Sequence, residues 1–168
     1  MASLQIIVFD VSGIACALRR SHVRELLPLP HLSRPPALPR PIAGFFNLGG
    51  TAVPVIRLDV LFGLEREAES REAGLYRHLI LLDGLSSAGP AALLVDRVLD
   101  VVDSHEAQLS PVRPENSLNG CVEAEIEHGG RLVHLLSLER ILFAEEKQAL
   151  AELGRQAQTR LNEWTVPA

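Results

Sequence analysis

The chain has 168 residues, 47% of them hydrophobic and 22% charged, with a formal net charge of −5. That length suits one domain with a core large enough to fold without disulfide or metal staples. The acidic balance and the lack of a Lys/Arg cluster exclude a general nucleic-acid binder, and no apolar run approaches the length of a membrane span.

Residues 4–11 are apolar and β-branched, which predicts a buried first strand. Asp10 interrupts the run and no basic region precedes it, so it reads as a strand and not as a signal peptide. Ser12-Gly13 turns the chain into a second strand at 14–18. Residues 19–27 mix good helix formers with polar residues and predict a short helix stopped by Pro28. Six of the eleven prolines fall within 28–41, which predicts a loop laid over the surface.

Two apolar runs, 44–48 and 51–58, are joined by Gly49-Gly50. A Gly-Gly pair supplies the positive φ angles of a tight hairpin, so the runs are expected to pair antiparallel. Pro54 has no N–H, which places its strand at a sheet edge or a bulge. Residues 58–62 read as a brief helical turn closing at Gly63. The charged stretch 65–74 reads as a solvated connector.

The second half repeats this grammar. A strand is expected at 75–82, a Gly- and Ser-rich turn at 83–90, a return strand at 91–95 and a further strand at 98–102. After a loop at 110–116, Val122, Ala124 and Ile126 alternate with Glu123, Glu125 and Glu127, giving a strand with one core face and one acidic face. Gly129-Gly130 turns into a strand at 132–136, and Ser137 is placed to cap a short helix at 138–143. Short strands, tight glycine turns and one short helix in each half predict two small antiparallel barrels sharing a core. Leu150, Leu153, Ala157, Leu161 and Trp164 then draw an apolar stripe along a helix, which Gly154 weakens by about 1 kcal/mol relative to alanine. Such a stripe either packs back on the barrels or docks a partner.

Reactive chemistry is missing from this pattern. Cys16 and Cys121 lie far apart in sequence without ligand spacing and read as reduced, buried thiols. The six histidines are scattered, and no nucleophile elbow, phosphate loop or dinucleotide fingerprint is present. Asp96 and Asp100 flank Arg97 and read as solvating the surface or orienting that arginine.

Several short words, in order, resemble the CheW-like domain of bacterial chemotaxis coupling proteins. Asn47-Leu48-Gly49-Gly50 and Val53-Pro54-Val55-Ile56-Arg57-Leu58-Asp59 stand where that family has Asn-Leu-Arg-Gly and Val-Pro-x-x-Asp-Leu-Arg. Val23-Arg24-Glu25-Leu26, Leu94-Val95-Asp96-Arg97-Val98-Leu99-Asp100-Val101 and Leu138-Glu139-Arg140-Ile141-Leu142 match further family words, so the likeness spans about residues 4–143. It implies a mostly β fold of two SH3-like, five-stranded antiparallel barrels sharing a core, with a groove between them, short helices and a C-terminal helix. The organisation implied is a CheW-like domain at 1–144, its two intertwined barrels joined near 65–74, and an amphipathic helix at 145–168.

The resemblance further implies a cytoplasmic, non-enzymatic adaptor, without cofactor or metal, recruited to membrane receptor arrays through its partners. Those partners would be the regulatory domain of a CheA-type histidine kinase and the signalling tip of a methyl-accepting chemoreceptor. Kinase contacts carry over to Glu25, Asn47, Gly49, Val53, Pro54 and Arg57, and receptor contacts to Val23, Leu27, Val95, Val98 and Val102. The family arginine is replaced by Gly49, and Asp-Leu-Arg is inverted to Arg57-Leu58-Asp59, an exchange that preserves a local ion pair. These departures imply altered partner choice, as in a pathway for twitching, biofilm or second-messenger control. The alternatives are a small-ligand-binding or catalytic β-barrel, and a competitor that occupies the same partner sites.

Overall fold

The computed structural model describes residues 3–64, 77–105 and 108–164. Its strands are β1 (Ser3–Val11), β2 (Ile14–Arg19), β3 (Val23–Pro28), β4 (Ile42–Leu48), β5 (Thr51–Arg57), β6 (His78–Ser86), β7 (Gly89–Val95), β8 (Arg97–His105), β9 (Ser110–Pro111), β10 (Val122–His128) and β11 (Arg131–Leu136). Among the described residues, two helices, α1 (Leu58–Leu61) and α2 (Ala144–Trp164), join them. One sheet has the order β8-β1-β2-β11-β10-β9 and the other β3-β6-β7-β5-β4. The fold is the expected mostly β arrangement of two small barrels and a C-terminal helix, with the two-residue β9 as a sixth strand in the first sheet.

Period-two alternation explains why so many strands read as unbroken apolar runs. On β6, Leu79 and Leu81 enter the core of the five-stranded sheet, while Ile80 and Leu82 enter the core shared with the other sheet. On β1, Ile6 and Val8 fill the six-stranded sheet, while Ile7 and Phe9 join the shared core. Each sheet therefore buries both faces, one inward and one against its neighbour.

The helix expected over 19–27 does not form. Only Arg20–His22 makes a single 3-10 turn, without a side-chain cap. Val23–Pro28 is strand β3, pairing with β6 from Val23↔Leu82 to Pro28↔His78. An edge of β6 that needs a ladder partner outweighs the modest helix propensity of this segment. The helix expected at 138–143 is also absent. That segment is a chain of turns in which Arg140 N–H donates to Ser137 C=O at 3.0 Å, while Leu138, Ile141 and Leu142 plug the shared core. Pro54 lies on β5, between β7 and β4 in strand order, but the β5–β7 ladder begins only at Val55, so at Pro54 the strand is open on that side. The expected turn at 83–90 is shorter, since β6 runs on to Ser86 through a register irregularity after Leu82. The connector at 65–74 lies outside the described residues.

Helix α2 begins where Phe143 N–H donates to Glu146 Oε1 at 2.7 Å, the reciprocal half of a capping box. It packs back on β5, burying Leu150 to 2% exposure. Leu153, Ala157 and Leu161 are half-buried, but Trp164 stays 82% exposed.

Candidate partner-binding surfaces

The first surface is the β4–β5 hairpin. Gly49 and Gly50 adopt φ of 58° and 95°, as the sequence requires of this turn, and Asn47 Oδ1 accepts the Gly50 N–H at 2.7 Å. Phe45 and Pro54 face one another across the ladder, as do Asn47 and Ala52. Alternation puts these four on the same side, away from the barrel core that Phe46 and Val53 fill. Against this side α2 lays Ala157, Leu161 and Trp164, leaving an apolar concavity of about 240 Å³. Val53 is wholly buried and supports the hairpin from within.

Arg57, at the end of β5, holds Asp59 by a two-point bond, Nε to Oδ1 at 3.2 Å and Nη2 to Oδ2 at 2.8 Å. The expected ion pair is therefore present. Burial alone raises the Asp59 pKa, yet the Arg57 hydrogen bond and charge, the Val60 N–H and the Arg77 charge outweigh it. Together they hold the carboxyl below its usual range. Glu25 is exposed on β3, at the opposite edge of the same sheet, separated from the hairpin by β6 and β7. In strand order, Glu25 and the hairpin are not neighbours.

The second surface runs along two sheet edges, β3 in one sheet and β8 in the other. His78 ties them together: it pairs with Pro28 of β3, and its Nδ1 accepts the Val98 N–H of β8 at 3.3 Å. The chain passes from β7 to β8 at Asp96. Asp96 Oδ2 accepts the Ser12 N–H at 2.6 Å, so this carboxylate caps the β1–β2 turn, a role beyond those read for it in the sequence. Of the receptor-contact residues carried over by resemblance, Val23 and Val95 are buried in the shared core. Leu27, Val98 and Val102 are half-buried, each against a different core cluster.

The aliphatic side chains actually presented along these edges are Leu26 at 37%, Leu99 at 43% and Val101 at 49% exposure. They were not singled out from the sequence. A β-bulge between Val8 and Phe9 leaves Leu99 as the extra residue on β8 and shifts which side chains face out. Strict alternation along 98–102 would put Val98 and Val102 on one face, whereas the bulge between them sends them to different core clusters.

The acidic face expected on β10 is largely paired, Glu123 with Arg19 at 2.9 Å and Glu125 with His134 at 3.4 Å. Among the described residues no cluster of three or more His, Cys, Asp or Glu is arranged to hold a metal ion. No helix among them is long and apolar enough to cross a membrane. What these surfaces offer is main-chain edges, aliphatic knobs and a fixed guanidinium, the groups of a docking interface.

The CheW-like domain family model matches residues 5–146. The chemotaxis protein CheW of Helicobacter pylori is 28% identical over 140 residues, covering 83% of this chain and 81% of the relative. The crystal structure of scaffolding protein TtCheW from Thermoanaerobacter tengcongensis superposes with a TM-score of 0.71 at 22% identity. That superposition covers 88% of this chain and 92% of the other, and it shows the shared fold.

Proposed function

Because this chain belongs to the CheW-like domain family, whose members are non-enzymatic scaffold proteins, we propose that it couples chemoreceptor signalling tips to a CheA-type histidine kinase. The observation that carries this reading is the separation of its two surfaces. The hairpin with Asn47, Gly49, Pro54 and Arg57 lies at one edge of the five-stranded sheet, and Leu26, Leu99 and Val101 line the β3 and β8 edges. A scaffold must hold two partners at once, so its two contact sets cannot overlap.

In this reading the hairpin takes the kinase regulatory domain. The β3/β8 edges take the helical receptor tip, whose apolar face needs aliphatic anchors and no reactive group. Val23 and Val95 act from beneath, by fixing the strands that carry the exposed residues. The protein works in the cytoplasm and reaches receptor arrays through these partners. Signalling follows from a difference in binding energy between receptor states, since equal affinity for both transmits nothing.

Gly49 supports a specialised pathway. It lacks the family arginine, and although nothing lies within 4 Å of where a Cβ would sit, its φ of 58° would strain any other side chain, so both a contact group and a backbone constraint differ here. The test is reconstitution of the chain with its own organism's kinase regulatory domain and a receptor signalling fragment. A ternary complex that changes kinase autophosphorylation is expected. Leu99→Ser with Val101→Ser should weaken receptor binding at least tenfold and leave kinase binding intact. Failure to bind either partner, or equal loss of both in that variant, rejects the assignment. Gly49→Arg should raise affinity for a generic CheA; no gain removes the specificity argument.

A further inference from the structure

Helix α2 runs on to Trp164, well past residue 146, where the match to the CheW-like domain model ends. Its final turns lie outside that match, and the fold lays them along the outer side of the β4–β5 hairpin. Gln158 fixes them there by bonding to Gly50 C=O and Ala52 N–H. The proline-rich loop closes the opposite side. Ser33 N–H donates to Phe45 C=O at 2.8 Å, and Phe45 N–H returns to Ser33 C=O at 2.9 Å. Gly44 permits that approach: with φ of 150°, a Cβ there would lie 2.7 Å from the Ser33 oxygen. Pro35 restricts the backbone just beyond.

Loop, hairpin and helix together enclose the apolar concavity of about 240 Å³. Pro35 forms one wall, Phe45 and Ala52 the floor, and Ala157 and Trp164 the other wall. Arg160 is the one charged residue among the described residues lining it, and it shares the rim with Asn47. Its guanidinium is exposed and makes no ion pair or hydrogen bond among the described residues. Trp164 is 82% exposed. Tryptophan and arginine are the side chains on which binding energy most often concentrates at protein interfaces. An open indole beside an uncommitted guanidinium has the composition of an apolar interface core with its polar rim.

We propose that this concavity is a specificity socket for the kinase: it seats one apolar side chain of the kinase regulatory domain, and Arg160 pairs with a carboxylate beside that side chain. The inference rests on the hairpin being the kinase-contact surface, with which the socket is continuous through Phe45, Asn47 and Ala52. The volume is below the roughly 300 Å³ at which drug-sized pockets begin, so it takes a single side chain and not a helix. The helical receptor tip is thereby left to the β3/β8 edges. Charge complementarity sets the rest. Arg57 is engaged by Asp59, and Gly49 offers no side chain, so the uncommitted cation of this surface comes from α2. Because the chain as a whole carries −5, that one guanidinium fixes where an acidic group of the partner is accepted.

Calorimetric binding of the full chain to the regulatory domain of its own organism's CheA-type kinase, repeated over a salt series, tests this. Trp164→Ser should weaken binding about tenfold or more, and Arg160→Gln about three- to tenfold. Both side chains are exposed, so the variants should melt as the parent does. Added salt should weaken the parent more steeply than Arg160→Gln, a difference that a purely structural role of α2 does not produce. Arg155→Gln, which removes the same charge from an exposed position elsewhere on α2, should bind like the parent. If the parent binds and Trp164→Ser and Arg160→Gln bind equally well, the socket is overturned while the kinase reading stands. If the parent itself does not bind, the kinase reading fails and the socket with it. Equal losses in Arg155→Gln and Arg160→Gln reduce the effect to general charge and overturn the pairing. Dimerisation in sedimentation that Trp164→Ser abolishes, with kinase affinity unchanged, gives the concavity to a second copy and overturns the assignment.

Discussion

The side-chain amide of Gln158 stands in for a strand beside Ala52: its Oε1 accepts the Ala52 N–H at 2.8 Å, and its Nε2 donates to Gly50 C=O at 3.0 Å. The β5–β7 ladder begins only at Val55, so the first half of β5 has no strand on that side. Successive N–H groups on one side of a strand are two residues apart, and the next after Ala52 belongs to Pro54, which has none. The proline thus sits inside a sheet because a helix and not a strand covers it there.

Gln158→Ala leaves two main-chain groups of the hairpin without their partner. The chain should lose about 1 kcal/mol in urea denaturation, and hydrogen exchange at the Ala52 amide should quicken. Unchanged exchange there would show that water replaces the glutamine at no cost.

Gly154 lies in the interior of α2, where a Cβ would meet only Ala88 Cβ at 3.8 Å. Gly154→Ala should therefore stabilise the protein by about 0.5–1 kcal/mol, through the lower entropy of the unfolded chain. A thermal melt reads this directly. A loss of stability would mean that α2 approaches the β6–β7 turn more closely than it does here.

Asp59 has a folded pKa below its unfolded value, so its stabilising contribution is complete above the ordinary carboxylate value of about 4 and disappears as pH falls through the lower folded value. Asp59→Asn should cost about 1–3 kcal/mol at neutral pH. The deficit should shrink on acidification, as pH falls through the lowered Asp59 pKa. Denaturation curves at stepped pH measure this; a deficit constant with pH would remove Asp59 from the acid limb.

Burial, with the charge of Asp10 and the nearby Cys121 behind it, pushes the Cys16 thiol up to about 12. Burial also raises the Cys121 thiol. A thiolate is the reactive species, so a disulfide reagent at pH 8 should label neither cysteine in the native protein and both after unfolding. Rapid native labelling of Cys16 would contradict its packing in the shared core.

Much of the architecture was legible in local chemistry. Gly49-Gly50 dictated a hairpin because few other dipeptides tolerate φ of 58° and 95° in succession. The stripe from Leu150 to Leu161 dictated a helix with one buried face. The β3 segment was misread because Arg24, Glu25 and Leu27 favour a helix locally, and only the open side of β6 makes them a strand. Among the contact residues carried over, Asn47 and Glu25 are exposed, whereas Val23, Val53, Pro54 and Val95 are buried. A bulge at Leu99, where β8 pairs with β1, set which faces the β8 residues take.

By itself the sequence determined the type of fold, the hairpin turn, the amphipathic helix and the absence of familiar catalytic motifs, because turn angles and hydrophobic periodicity act over a few neighbouring residues. Tertiary structure alone decided that Gln158 completes β5, that His78 links the β3 and β8 edges, and that Cys16 and Cys121 come within electrostatic range. It also decided that Arg160 of α2 and Asn47 of the hairpin line one concavity. Those relationships depend on strand register and on which backbone groups lack a ladder partner, and both are fixed only when distant segments pack together.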